Sequence, residues 1–190
     1  MTISDNPVLL TEEPYHRQMT SYRRTRSAIL EGAKTLVALQ GLHRANMVDI
    51  ADTSEVSRAT LYNHFRDKSS VMRALLESEV ERLLQIADGD LSTEEVLAFI
   101  SVEISIDPAL ATLRRTDPGI LTELLTHLED PLWNQIRVAL NQLLGDTRIS
   151  AIAQRWLAAQ IMQPLTGAEN REQARAIVQM PLTSTQLVPN

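Results

Sequence analysis

Signals that start a helix recur along this sequence, and they constrain its fold more than any other feature. An aspartate precedes a proline at Asp107–Pro108, Asp117–Pro118 and Asp130–Pro131. Each pair offers a capping side chain followed by the residue best suited to the first helical turn. Ser92 with acidic residues after it is a fourth such signal. Alternating β-branched runs and Asn-Gly turns, which mark strands and hairpins, are absent from the sequence. The chain is therefore predicted to be all-α.

Three short helices are predicted in the first third of the chain. Apolar residues spaced by three and four predict a first helix from about Tyr22 to Gln40, ended by Gly41 in a left-handed turn. A second helix is expected after Asn46, a good N-cap. A turn at residues 53–55 separates it from a third helix capped by Ser57. Two short helices joined by a tight turn form a helix-turn-helix pattern.

Longer helices are predicted in the rest of the chain. A fourth helix is expected from Asp67 to about Asp88, on the order of 30 Å long. Breaks near Gly145 and at residues 164–167 separate the last helices. The total is nine or ten helices, with a bundle following the three short ones.

The charge of the chain is unevenly distributed. Residues 22–68 hold eight Lys and Arg against five Asp and Glu, whereas residues 69–190 hold nine against sixteen, in a chain of net charge −6. A basic module on an acidic body favours a polyanionic partner for the first part alone. Random clustering of charge would give the same small excess, so charge alone leaves a nucleic-acid partner open.

Composition limits the remaining classes. A hydrophobic content of 44% allows a packed core, and zero cysteines exclude disulfides and thiolate metal sites. No signal-peptide pattern and no apolar run of about 20 residues is present. We therefore expect a cytoplasmic protein with no membrane association.

The helix-turn-helix segment resembles the TetR family of transcriptional regulators over about residues 22–71. The resemblance rests on apolar positions of the first helix, Gly41, "VDIA" from Val48 and "VSRATLYNHFRDKSSV" from Val56. The apolar positions are Ile29, Leu30, Ala33 and Leu36. The resemblance implies a DNA-binding domain at residues 22–68 and a helical effector-binding and dimerisation domain at residues 69–181. A flexible arm (1–21) and a flexible tail (182–190) are expected at the two ends.

The candidate DNA-binding residues lie mainly on the third helix. Ser57 caps this helix and leaves backbone N–H groups near a phosphate. Arginine pairs bidentately with guanine, and alanine and threonine methyl groups contact the thymine methyl, so the groove-facing set is Arg58, Ala59, Thr60 and Asn63. By resemblance to the family, Tyr62, His64 and Lys68 contact phosphate oxygens. The Asn46 amide is a further candidate for a phosphate contact, and Arg24 is a candidate for contact with the DNA backbone or the minor groove. Taken singly, Tyr62 also fits a packing residue and His64 an ordinary surface histidine.

The turn departs from the family pattern at Glu55. The family commonly has glycine there, because the turn is left-handed. We expect glutamate to cost about 1 kcal/mol of backbone strain.

The last two helices are the candidate dimer interface, because members of this family typically pair through them as a four-helix bundle. The expected contacts are apolar residues at helical spacing: Ile149, Ile152, Ala153, Trp156, Ile161, Ala174, Ile177 and Val178. The alternative is an ordinary core face within one subunit. Pairing would set two recognition helices about 34 Å apart and imply a palindromic operator.

A cavity for an apolar effector is expected among the middle helices. Its candidate lining residues are Phe99, Glu103, Leu124, His127 and Trp133. Alternatively, Trp133 is a core anchor, and His127 complements a helix dipole.

Enzymatic motifs are missing from the sequence. It has no His-Glu-x-x-His, no Gly-rich phosphate loop and no Gly-x-Ser-x-Gly. We expect no catalysis, no cofactor and no metal site. The predicted function is a homodimeric DNA-binding repressor released from its operator by a small molecule. The alternative is an architectural or partner-controlled DNA-binding protein without such an effector.

Overall fold

The computed structural model describes residues 13–86, 89–127 and 129–181, and these residues form ten helices and no strand. The first four are α1 (Glu13–Gln40), α2 (Met47–Thr53), α3 (Arg58–His64) and α4 (Lys68–Gln85). The middle helices are α5 (Thr93–Ile106), α6 (Pro108–Thr116) and α7 (Pro118–Thr126). The last three are α8 (Pro131–Leu144), α9 (Thr147–Met162) and α10 (Gly167–Val178). The predicted all-α class is confirmed.

The first helix is longer than the sequence pattern suggested. It begins at Glu13 rather than near Tyr22, so residues 13–21, expected in a flexible arm, are helical. Pro14 lies in the first turn, where its missing N–H group has no intrahelical partner to lose. It therefore marks a helix start and not a loop. The expected arm over residues 1–12 and the tail over residues 182–190 lie outside the described residues.

Most predicted caps form as expected. Asn46 Oδ1 accepts hydrogen bonds from the N–H groups of Val48 and Asp49. Asp67 and Ser92 form capping boxes at the starts of α4 and α5. These side chains satisfy N–H groups that the first turn of a helix leaves unpaired.

Two hydrophobic cores organise the chain. The first joins α1 to α4 and contains the fully buried side chains of Ile29, Ile50 and Leu61. The second joins α5, α8, α9 and α10 around Leu97 and Ala153. The helix-turn-helix therefore has a core of its own, and α4 begins in it before running along the body.

The N-terminal module is fastened to the body at the junction of α6 and α7. Asp117 accepts hydrogen bonds from the backbone N–H groups of Leu42 and His43, at 3.1 and 3.2 Å. Thr112 donates to the carbonyl of Ala38 at 2.6 Å. The Asp-Pro pattern predicts Asp117 as a cap for α7, but its side chain makes no capping hydrogen bond there. Its carboxylate instead binds the loop between α1 and α2.

Candidate DNA-binding surface and internal cavity

The third helix has one buried face and one face open to solvent. Leu61 is fully buried, and Phe65, just after the helix, is 6% exposed. Arg58, Ala59 and Asn63 are exposed on the opposite side. The apolar contacts thus seat α3 on its neighbours while the side chains predicted to read bases remain accessible.

Hydrogen bonds between Ser57 and Thr60 fix the start of α3. Ser57 Oγ accepts a hydrogen bond from the Thr60 N–H group at 3.0 Å and lies 2.7 Å from the Thr60 hydroxyl. Thr60 is half-buried, so its hydroxyl is committed to this cap. Ser57 therefore acts as the predicted N-cap, and Arg58 is the first residue of α3 to project freely.

Tyr22 and His64 form a stacked pair beside α3. Their ring centroids are 4.2 Å apart with an interplanar angle of 28°. His64 is half-buried, and its Nδ1 atom has no hydrogen-bond partner among the described residues. Burial and then the positive charge of Arg26 lower the pKa of His64. The neutral ring is therefore favoured in the protein without DNA.

Lys68 has a structural role at the end of the module. Its ammonium group donates to the carbonyls of Leu42 and Ala45, at 3.2 and 3.0 Å. These bonds tie the start of α4 to the loop before α2. Arg24 and Tyr62 are exposed, Tyr62 to 55% of its surface. Asn46, another predicted phosphate contact, is also exposed.

Glu55 adopts the left-handed conformation in the turn between α2 and α3, with φ +54°. We expect Glu55→Gly to raise the free energy of unfolding by about 1 kcal/mol, because glycine has no Cβ to strain there. Urea denaturation measures the difference. Glu55→Ala is the matched control, since it removes the same charge but keeps the Cβ. An equal gain in both variants would assign the effect to charge instead of backbone strain.

A cavity of about 400 Å³ lies between α4 and the middle helices. Its walls are mainly leucine and isoleucine, and it also includes Glu103, Leu124 and Trp133 from the predicted set. The Trp133 Nε1–H group donates to the carbonyl of Leu124 at 3.1 Å, which fixes the indole in the wall. Such volume and lining suit a small apolar molecule.

Two predicted lining residues lie outside this cavity. Phe99 is on the outer face of α5 with 48% of its surface exposed. His127 follows α7, and its Nδ1 lies 2.8 Å from the carbonyl of Glu123. Helical spacing identified apolar positions on α5 but did not show which of them face inward. The prediction for these two residues was therefore wrong.

A chain of ion pairs borders the same cavity, and of its members the sequence pattern predicts only Glu103 as a lining residue. It runs through Lys34, Glu79, Arg82, Glu103 and Asp107. One signal was present: Lys34 falls between Leu30 and Val37 on the apolar face of α1, where a charge needs a partner.

The predicted dimer contacts divide into two groups. Ile149, Ala153, Ala174 and Ile177 belong to the core of one subunit and are at most 8% exposed. Their prediction as interface residues was wrong, because α9 and α10 turn these positions towards α5. Ile152 is 41% exposed, and Trp156, Ile161 and Val178 are half-buried.

No single helix in the described parts of the chain has the length and apolar character to cross a bilayer. Helices α5 and α6 reach that length and apolar character only when they are taken together, and a bend of 48° separates them.

The fold and the exposed third helix define a helix-turn-helix DNA-binding module joined to a helical domain with a cavity. The sequence model described as "Bacterial regulatory proteins, tetR family" matches residues 29–75. The chain therefore carries a domain of this family over those residues.

Two curated relatives support this assignment. The transcriptional regulator TtgR of Pseudomonas putida is 35% identical over 72 residues, which are 38% of this chain and 34% of TtgR. The transcriptional repressor AcnR of Corynebacterium glutamicum is 28% identical over 127 residues, 62% of this chain and 65% of AcnR. The chain thus spans between a third and two thirds of the relatives it matches.

Solved structures show the same fold. FadR of Bacillus halodurans, a fatty acid degradation regulator, has a TM-score of 0.62 at 19% identity, covering 80% of this chain and 94% of FadR. FadR of Bacillus subtilis, in complex with stearoyl-CoA, has a TM-score of 0.52 at 16% identity. The match covers 80% of this chain and 97% of that FadR. Likeness at this identity concerns the fold alone.

Proposed function

We propose that this protein is a transcriptional repressor that binds a palindromic operator as a homodimer and leaves it when a small apolar molecule enters the cavity. The observation that carries the proposal is the two-faced third helix, with Leu61 buried and Arg58 exposed. A helix seated in this way can enter the major groove without disturbing its own core. The naming of AcnR as a repressor supports the direction of control.

The second copy is proposed to pair along α9 and α10. Ile152 and Met162 are exposed on α9, at 41% and 36% of their surfaces. Apolar side chains at such positions favour contact with a second subunit. Two-fold pairing would place two recognition helices about one DNA turn apart and match a palindromic operator.

Control by an effector is proposed because the cavity touches both parts of the chain. Lys34 and Val37 of α1 line it together with helices of the body. A molecule that binds there with different affinity in two poses of α1 and α4 shifts the spacing of the recognition helices. The complex of Bacillus subtilis FadR with stearoyl-CoA supports an effector with a long apolar part.

The alternative is a DNA-binding protein controlled by a partner or acting as an architectural protein. A DNA-binding protein of either kind needs no internal cavity, because no small molecule controls it. A cavity of about 400 Å³ whose walls are mainly aliphatic therefore favours an effector.

Binding to the operator tests the proposal. We expect Arg58→Ala to weaken binding to a fragment from upstream of the protein's own gene about tenfold, because a bidentate base contact is worth about 1–3 kcal/mol. Fluorescence anisotropy across a salt series measures affinity for this fragment and for an unrelated one. Preference for the upstream fragment should fall in the variant, while wild-type affinity should decrease steeply with salt.

Arg66→Ala is the matched control. Arg66 is also an exposed arginine, but it lies beyond α3 and pairs with Asp67. Its loss should reduce binding to both fragments slightly and equally. If Arg58→Ala reduced both fragments equally as well, Arg58 would be a backbone contact and not a base reader.

A further inference from the structure

We propose that the cavity takes an amphipathic organic cation, whose ammonium head lies against the ion-pair chain while its alkyl part fills the aliphatic interior. The ion-pair chain is the set Asp107, Lys34, Glu79, Arg82 and Glu103. This inference rests on the proposed function in treating the cavity as the effector site, and it names the chemical class of the effector.

The five side chains form a continuous series of contacts. The ammonium group of Lys34 lies 3.1 Å from an Asp107 oxygen and 2.8 Å from Glu79 Oε2. The same Glu79 oxygen accepts from Arg82 Nε at 3.2 Å. Arg82 then donates to Glu103 Oε2 at 3.0 Å. All five residues line the cavity, so its charge is gathered on one part of the wall.

The ion-pair chain has more negative than positive charge. It alternates in sign and ends in a carboxylate on both sides, so three carboxylates face two cations. Glu79 and Glu103 each use only Oε2, and Oε1 of each accepts no hydrogen bond from the described residues. Asp107 is different, because its other oxygen caps α6 through the N–H group of Leu110. The carboxylate oxygens left unpaired by the described residues are therefore those of Glu79 and Glu103, and their negative charge is what a cationic head would contact, with or without an N–H group.

The two cations already present show the effect of this surplus. Burial alone would lower the pKa of Lys34, but contacts with Glu79 and Asp107 outweigh it and raise that pKa. Burial likewise opposes the charge on Arg82, and contacts with Glu103 and Glu79 again raise the pKa. At both sites the carboxylates thus outweigh burial, and the one carboxylate in excess of the two cations is what favours a further positive group.

The other charged residue in the cavity wall does not reverse this preference. Arg73 donates to Asp130 and to Glu77, so two carboxylates already neutralise it. An anionic head would have to take Lys34 or Arg82 from a carboxylate and leave that carboxylate half-buried without its partner, which is costly. A cationic head adds to the existing pairs and breaks none.

The chain contains its own optical probe for this test. It has two tryptophans, of which Trp133 lines the cavity and Trp156 does not. In a Trp156→Phe background, the fluorescence of Trp133 reports molecules that enter the cavity. Decyltrimethylammonium, decanoate and decyl maltoside are compared, because they share an alkyl chain and differ in the charge of the head. Operator binding is measured on the same samples.

We expect decyltrimethylammonium to bind at least tenfold more tightly than decanoate or decyl maltoside. Glu103→Gln should reduce the affinity for decyltrimethylammonium about tenfold. The ratio of its affinity to that of decanoate should fall accordingly. Glu81→Gln is the matched control, since it removes the same charge from an exposed residue of α4 that does not line the cavity. The Glu81→Gln variant should bind the three probes with the same affinities as the Trp156→Phe protein from which it is made.

Other outcomes separate this inference from the proposed function. Tighter binding of decanoate or decyl maltoside would overturn the cationic class and leave effector control standing. Loss of affinity in Glu81→Gln equal to that in Glu103→Gln would overturn the ion-pair chain as the binding position. If no probe changes the emission of Trp133, both the cationic class and the cavity as effector site are wrong. Binding of decyltrimethylammonium without release of DNA would uphold the site and refute the release mechanism.

Discussion

Replacing Leu61 with alanine should lower the free energy of unfolding by about 3 kcal/mol, the usual cost of truncating a buried leucine. Leu61 is fully buried and belongs to the core formed by α1, α2, α3 and α4. Its loss leaves a cavity directly beneath the recognition helix. Operator binding should be lost together with stability, because α3 no longer holds a fixed position.

Urea denaturation followed by circular dichroism measures the first effect, and anisotropy with the upstream fragment measures the second. Tyr62→Ala is the neighbouring control: Tyr62 is 55% exposed, so its removal should change stability by less than about 0.5 kcal/mol. If Leu61→Ala lost operator binding with unchanged stability, Leu61 would contact DNA and not the core.

Gly32→Ala should destabilise the protein by about 2 kcal/mol, although alanine is the better helix former. A Cβ at Gly32 would overlap Ser54 Oγ and lie 2.9 Å from the backbone N and Cα atoms of Ser54. The hydroxyl of Ser54 is held by the carbonyl of Ile50 at 2.6 Å, and the backbone atoms cannot rotate away. α1 and the end of α2 would have to separate.

Gly119→Ala provides the matched comparison, because a Cβ at Gly119 in α7 meets no atom within 4 Å. Helix propensity then acts alone, and this variant should be stabilised by up to about 1 kcal/mol. Urea denaturation of both variants tests the contrast. A gain in stability for Gly32→Ala would show that the two helices separate without cost.

Helix starts could be read from the sequence because a cap and the N–H groups it satisfies are two or three residues apart. Asn46, Ser57 and Ser92 are of this kind, and all three cap as predicted. Asp117 carries the same local signal, yet its partners Leu42 and His43 are more than seventy residues away. A prediction that considers only neighbouring residues cannot detect a competing hydrogen-bond donor so far away in the sequence.

Apolar spacing had a similar limit in the body. It identified apolar positions on α9 and α10, but a face packed inside one subunit and a face packed against a second one have the same spacing. Ala153 and Ala174 proved to be internal. Phe99 shows the opposite case, an apolar side chain left on the outer face of α5. Which helix a face meets is decided by tertiary packing.

The fastening between the two parts of the chain also determines which sequence changes it can tolerate. Asp117 holds the backbone N–H groups of residues 42 and 43, and no side chain at either position takes part in these two bonds. Substitutions at positions 42 and 43 therefore preserve the donors unless they introduce proline, which has no N–H group. The junction can consequently persist through substitutions at positions 42 and 43, provided that the carboxylate is kept and that Gly41, where a Cβ would meet Asp117, is kept as well.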